Sequence, residues 1–144
     1  MIDLICCSIV KRCWCGFAAL LLVFLSWVAP VQAANLDQVQ KLLEERICVG
    51  CDLSGADFKE VDLRGVNLSR ANLETADLQK ANLAAANLRE ANLRKANLGG
   101  ANLVATDFSG ANLKDANIDK ARYAELRLCH TIAPDGRTSN LNCS

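Results

Sequence analysis

Aromatic residues make up only 5% of the 144-residue chain, too few for an ordinary globular core. Charge of one sign is also missing. Lysine plus arginine number 16 and aspartate plus glutamate number 16, so neither a nucleic-acid patch nor an acidic tail is signalled. Histidine occurs once, as His130, and no Ser-His-Asp set or glycine-rich phosphate loop is present. These absences point away from an enzyme, and no cofactor, resident metal, nucleic acid or small-molecule substrate is expected. The length suits one domain.

Apolar residues are unevenly placed. Lys11 and Arg12 precede an apolar run from Gly16 to Ala29, broken only by Ser26 and ended by Pro30. Val31-Gln32-Ala33 then offers small residues for signal peptidase, with cleavage expected between Ala33 and Ala34. The run is short beside the ~20 residues that span a membrane. An uncleaved anchor from Trp14 to Val31 is the alternative, and it would be the only membrane contact. No cysteine closely follows the run and no twin arginine precedes it, so neither lipid attachment nor folded export is indicated.

Eight cysteines are present, of which Cys6, Cys7, Cys13 and Cys15 fall in the leader. Cys48, Cys51, Cys129 and Cys143 would remain in an exported chain. An even number in a small exported protein reads as disulfides. Without the leader the chain carries 14 basic and 15 acidic residues.

From Cys51 the chain divides every five residues: CDLSG, ADFKE, VDLRG, VNLSR, ANLET, ADLQK and onward to ARYAE at 121–125. The third residue is always large and apolar. The second is Asp or Asn in 14 of 15 units, Arg122 being the exception. The first is small or β-branched. Neither a helix, with its three-and-four spacing, nor an alternating strand produces a period of five.

These A-[D/N]-L-x-x units resemble the pentapeptide-repeat family over residues 51 to 125. The resemblance implies an all-β solenoid: a right-handed quadrilateral β-helix with 20 residues in each coil. In a square coil the large third residue and the small first residue face inward, and residues 20 apart stack. The columns then read Leu53, Leu73, Leu93, Leu113; Phe58, Leu78, Leu98, Ile118; Leu63, Leu83, Leu103, Tyr123; and Leu68, Leu88, Phe108. The last column predicts an apolar residue at 128, where leucine stands. Leu126 to His130 is therefore a degenerate sixteenth unit, completing about four coils. The interior is filled by side chains. The Asx residues are expected to bond nearby backbone at the corners rather than form a metal ladder.

The organisation expected is a signal peptide at 1–33, a capping helix with the loop into the solenoid at 34–50, the β-helix at 51–130 and an irregular disulfide-bearing tail at 131–144. A solenoid exposes strand edges and core at its ends, so caps are needed. Residues 35 to 47 read as a helix, with Asn35 as cap and Gln38 in a capping box. Leu36, Val39, Leu42, Leu43 and Ile47 share one face. A membrane-surface helix is disfavoured by its mixed charge. In the tail, Pro134-Asp135-Gly136 reads as a turn. The tail CHTIAPDG with its terminal cysteine, and the opening ICVGCDLSGADF, resemble small exported cyanobacterial pentapeptide proteins, which implies a periplasm or thylakoid lumen.

Three coil steps, ~14 Å, separate Cys51 from Cys129, whereas bridged Cα atoms lie within about 7 Å. Cys129–Cys143 and Cys48–Cys51 are the pairs expected, the second across a tight loop. The C-x-x-C at Cys48 and Cys51 is alternatively a thiol–disulfide redox site, but such motifs usually open a helix and this one follows it. Cys129 beside His130 hints at a nucleophile pair without a third orienting group.

The function expected is a structural or binding module outside the cytoplasm, acting through an unidentified protein or through self-association. Mimicry of DNA, by which some family members protect topoisomerases, is disfavoured because residues 51–130 carry 11 basic and 11 acidic residues. One outer face presents Ala84, Ala85, Val104, Ala105 and Ala124, with no charge at these positions in its two middle coils. It is the candidate contact face, although the patch is small.

Overall fold

A computed structural model describes residues 36–143. The leader, its Ala33–Ala34 cleavage site and the Asn35 cap lie outside the described residues. The described chain opens with helix α1, Leu36–Glu45, continues through stacked five-residue units, and ends in a hairpin of β1, Leu128–Ile132, and β2, Thr138–Leu141.

Parallel bridges join residues 20 apart from Ile47↔Asn67 to Asn112↔Ile132. A 20-residue repeat of five-residue units has four sides. Within each side the third-position N–H donates to the second-position carbonyl of the next coil, as Leu73 does to Asn92 at 2.7 Å. The next corner follows, where a first-position N–H bonds back three residues, as Ala76 does to Leu73 at 3.1 Å.

The corner conformation is uniform. Every fifth-position residue from Gly50 to His130 has positive φ, between 54° and 73°. Glycine supplies this at 50, 55, 65, 100 and 110; elsewhere Glu, Lys, Arg, Ala, Asp, His and even Thr75 are held there. For residues with a Cβ this region is disfavoured locally, so the stacked coils impose it. Each unit thus turns regardless of its fifth residue, which explains why that position is so variable in sequence.

The inner columns are dry. Leu53, Leu63, Leu73, Leu83 and Leu93 are fully buried, as are the first-position alanines beside them. Thr106 takes an alanine position and loses no hydrogen bond, because its Oγ1 donates to Leu83 O at 2.9 Å. Thr131 repeats this with Phe108 O at 2.7 Å.

The ladder is longer than the expected 51–130. Ile47 bridges Asn67, so Arg46 to Gly50 form a unit that places Cys48 above Leu68. At the other end Ile132 bridges Asn112, and Thr131 to Asp135 stack on the coil above. Arg127 bridges Asp107 and Leu128 is half-buried, in keeping with the sixteenth unit. The last-coil members of two columns are not core: Ile118 is 38% and Tyr123 65% exposed, since among the described residues no coil lies beneath them.

The helix departs from the expected amphipathic face. Leu42 is buried, but Leu36 and Leu43 are exposed, and Ile47 lies beyond the helix in the ladder with its side chain outward. The ten-residue helix buries only Leu42 and leaves much of the square end to other groups. Polar groups do the rest. Gln38 Oε1 accepts the Asp52 N–H at 2.7 Å. Arg46, turned by a φ of 62°, donates to the carbonyls of Asp62 and Arg64 on the adjoining side. Both ends of that span are first-coil groups that no preceding coil satisfies.

Candidate functional site

The second-position Asx residues are structural. Their Oδ1 atoms accept the backbone N–H two residues on, as Asn82 does from Ala84 at 3.3 Å and Asn117 from Asp119 at 2.9 Å. Asparagine Nδ2 donates upward to the Asx of the previous coil: Asn92 to Asn72 at 3.0 Å, and Asn102 to Asn82 at 3.0 Å. Their oxygens are engaged along the column. Aspartate cannot donate, so where Asp77 stacks under Asp57 a cation compensates, with Lys59 Nζ 2.9 Å from Asp77 Oδ2.

Cys48 and Cys51 are bonded, with Cα atoms 5.4 Å apart. They occupy a third position and the following first position. These are the two ends of each corner turn and both side chains face inward, so the two-residue loop matches the fold's own geometry. Cys48 is 1% exposed and Cys51 is half-buried.

Cys129 and Cys143 form the second disulfide, with Cα atoms 4.8 Å apart. It ties the tail across the C-terminal end. Asn142 Nδ2 donates to Leu126 O at 2.6 Å, and the His130 N–H donates to Asn140 Oδ1 at 3.2 Å. The tail therefore closes the two sides formed by residues 126–135. Beneath the sides at 116–125 no described residue accepts from the N–H groups of Ile118 and Tyr123. An apolar recess of about 200 Å³ opens there, walled by Leu103, Phe108, Leu113, Ile118, Tyr123 and Leu128.

The candidate contact face forms one continuous column. Ala85 N–H donates to Val104 O, and Ala105 N–H to Ala124 O, each at 2.8 Å. Ala85, Ala105 and Ala124 are exposed, while Ala84 and Val104 are half-buried. The face is not flat. Asn142 and Cys143 of the tail stand beside it and line a shallow groove together with Asp107 and Arg127. Alanine supplies the floor and charge supplies the rim.

Burial pushes the Asp107 carboxyl up, but hydrogen bonds from Ser109 and the Arg89 and Arg127 cations together hold it below the usual carboxylate range. On the exposed top coil, hydrogen bonds from the Arg64 guanidinium and backbone N–H bring Asp62 down to about 2.

Sequence reading brought the two cysteine pairs and the alanine column into view. It missed Gln38, Arg46, Asn140 and Asn142 as closers of the solenoid ends. Only the pairing of each with a first- or last-coil backbone group reveals them. It set Cys129 and His130 side by side as a nucleophile pair lacking a third group, and His130 Nδ1 does lie 3.2 Å from Cys129 Sγ, within a disulfide.

A sequence profile of pentapeptide repeats matches residues 47–84 and 86–122 in eight copies. No curated protein matches the chain in sequence. Among solved structures the chain is similar to HetL, a pentapeptide repeat protein involved in heterocyst differentiation regulation from the cyanobacterium Nostoc. The identity is 30% over 65% of this chain and 49% of that one, with a TM-score of 0.32. A pentapeptide repeat protein of the Arabidopsis thaliana thylakoid lumen is 28% identical over 58% and 61% of the two chains, with a TM-score of 0.36. Another from Nostoc is 32% identical over 65% and 74%, with a TM-score of 0.40. The chain thus spans about half of HetL and under two thirds of the Arabidopsis protein.

Proposed function

Because the chain belongs to the pentapeptide repeat family, whose members fold as right-handed quadrilateral β-helices, we propose that it is an exported, non-enzymatic binding module. It would act through its outer surface on a protein partner or a second copy. The observation that carries this reading is the filled interior. The central residues of the inner coils, Leu63, Leu73, Leu83 and Leu93 among them, are fully buried, so recognition falls to the outside. The alanine column at 84–85, 104–105 and 124 is the surface best suited to close packing. Small side chains there bring a partner near the backbone at little cost in side-chain entropy.

Export is supported by the leader pattern and by the two disulfides, which persist in oxidising compartments. A periplasm or thylakoid lumen fits both. Among the described residues no helix is long and apolar enough to cross a membrane. Redox chemistry at Cys48–Cys51 fits less well, since burial of Cys48 withholds its sulfur from an attacking thiolate. The even charge of the coils gives no support to mimicry of DNA.

Val104→Lys tests the contact face. Its backbone carbonyl would still accept from Ala85, so the coil should persist. Sedimentation of the wild type against the variant, with capture of partners from the native compartment, should show a contact that the variant loses. Identical sedimentation and an identical captured set would make the face inert.

A further inference from the structure

The C-terminal disulfide carries more than a staple requires. Cys129 Sγ, Cys143 Sγ and a nitrogen of His130 all lie within 4.8 Å of one another. His130 Nδ1 stands 3.2 Å from Cys129 Sγ. The backbone that carries the ring is fixed. The His130 main chain is turned by a φ of 54°, and its N–H is held by Asn140 Oδ1. The Cys129 main chain is fixed in turn, its carbonyl accepting from Gly110 N–H at 2.8 Å.

We propose that, once its disulfide is reduced, this cluster is a binding site for a zinc-class divalent cation, with Cys129, Cys143 and His130 as ligands. Two thiolates and an imidazole are the donor set that suits such an ion, and three protein ligands leave a fourth position for water. The disulfide excludes the metal, because its sulfurs hold no thiolate charge. Reduction therefore gates the site.

The redox step balances with a dithiol reductant. Its thiolate attacks Sγ of Cys143, the more exposed of the two residues, and Cys129 leaves as thiolate. The reductant's second thiol then displaces Cys143 from the mixed disulfide. Two electrons pass to the protein and the reductant ends as its own disulfide. Binding of the cation to both thiolates releases the protons they would otherwise carry.

The fold permits the small movement required. Two sulfurs that each lie ~2.3 Å from a tetrahedral ion sit roughly 3.7 Å apart. Cys143 follows the end of β2 at Leu141, so it can withdraw without disturbing the ladder. Arg89 and Arg127 line the same shallow cavity as Cys129 and His130.

The test uses the full chain, reduced with a phosphine, and adds Zn²⁺ and Co²⁺ as probes. The comparison is with Cys129→Ser/Cys143→Ser, which keeps every other cysteine. The reduced wild type should bind one equivalent more than the variant. With Co²⁺ it should also show additional thiolate-to-cobalt charge transfer. The oxidised wild type should show neither excess. His130→Ala retains both thiols and the disulfide, and should weaken binding at least about ten-fold with far-ultraviolet dichroism unchanged. Equal metal uptake by the reduced wild type and the double variant overturns the site. Unchanged affinity in His130→Ala overturns the three-ligand assignment, and that comparison decides the matter if the double variant does not fold.

Discussion

Gln38 Oε1 accepts the backbone N–H of Asp52 at 2.7 Å, so a helix side chain completes the hydrogen bonding of the first coil. Gln38→Ala should cost about 1 kcal/mol, the usual net worth of a hydrogen bond. Arg46→Ala removes donors to two first-coil carbonyls and should cost at least as much. Denaturant unfolding of each variant measures the loss. No change in either midpoint would show that solvent satisfies that edge equally well.

Thr75 is β-branched and sits at φ 59°. Thr75→Gly removes the clash that L residues meet there, ~1–2 kcal/mol, and gives back ~0.5–1 kcal/mol in unfolded-state entropy. The variant should be more stable by up to about 1.5 kcal/mol. Thermal unfolding checks the sign, and a lower midpoint would mean that the Thr75 side chain contributes more than its backbone costs.

Position along a column should decide the cost of truncation. Leu83→Ala, in a fully buried middle coil, should lose about 2–5 kcal/mol through transfer and cavity effects. Tyr123→Ala, two coils below it in the same column but 65% exposed, should lose much less. Similar losses at both positions, measured by chemical unfolding, would imply that the open end is covered in solution.

Acid should weaken the fold through four aspartates. Asp52, Asp62, Asp77 and Asp107 all ionise below the ordinary carboxylate value, Asp62 at about 2. A depressed folded-state value contributes stability that is present above the unfolded value, ~3.9, and lost as pH falls through the folded one. The melting temperature should therefore drop between about pH 4 and pH 2. Asp62→Asn should shrink that drop, and an unaltered profile would remove Asp62 from the account.

Much of this protein was legible because the period of five is the fold's own period. A leucine every fifth residue, with alanine two before it, dictates which side chains point inward once four units make a coil. The columns, the Asx bonding and the extra unit at 126–130 all follow from that spacing. The unit at 46–50 was hidden because its inward residue is Cys48 rather than leucine, and its second residue is Ile47 rather than Asx. The fifth-position turns were hidden for a different reason. Local preference would mark them with glycine, yet the ladder holds Thr75, Lys80 and Glu90 there just as well.

The sequence alone determined the repeat, the inward set, the cysteine count and the neutral balance of charge, since each depends on residue type and spacing along the chain. Only the tertiary structure decided the ends. Which backbone groups lack a neighbouring coil is a property of stacking, and so is the meeting of Gln38 with Asp52 or of Asn142 with Leu126. The placement of His130 against Cys129 Sγ belongs with these. Adjacent residues in sequence converge there because a positive φ at His130 and the Asn140 hydrogen bond fix the backbone from which the ring projects.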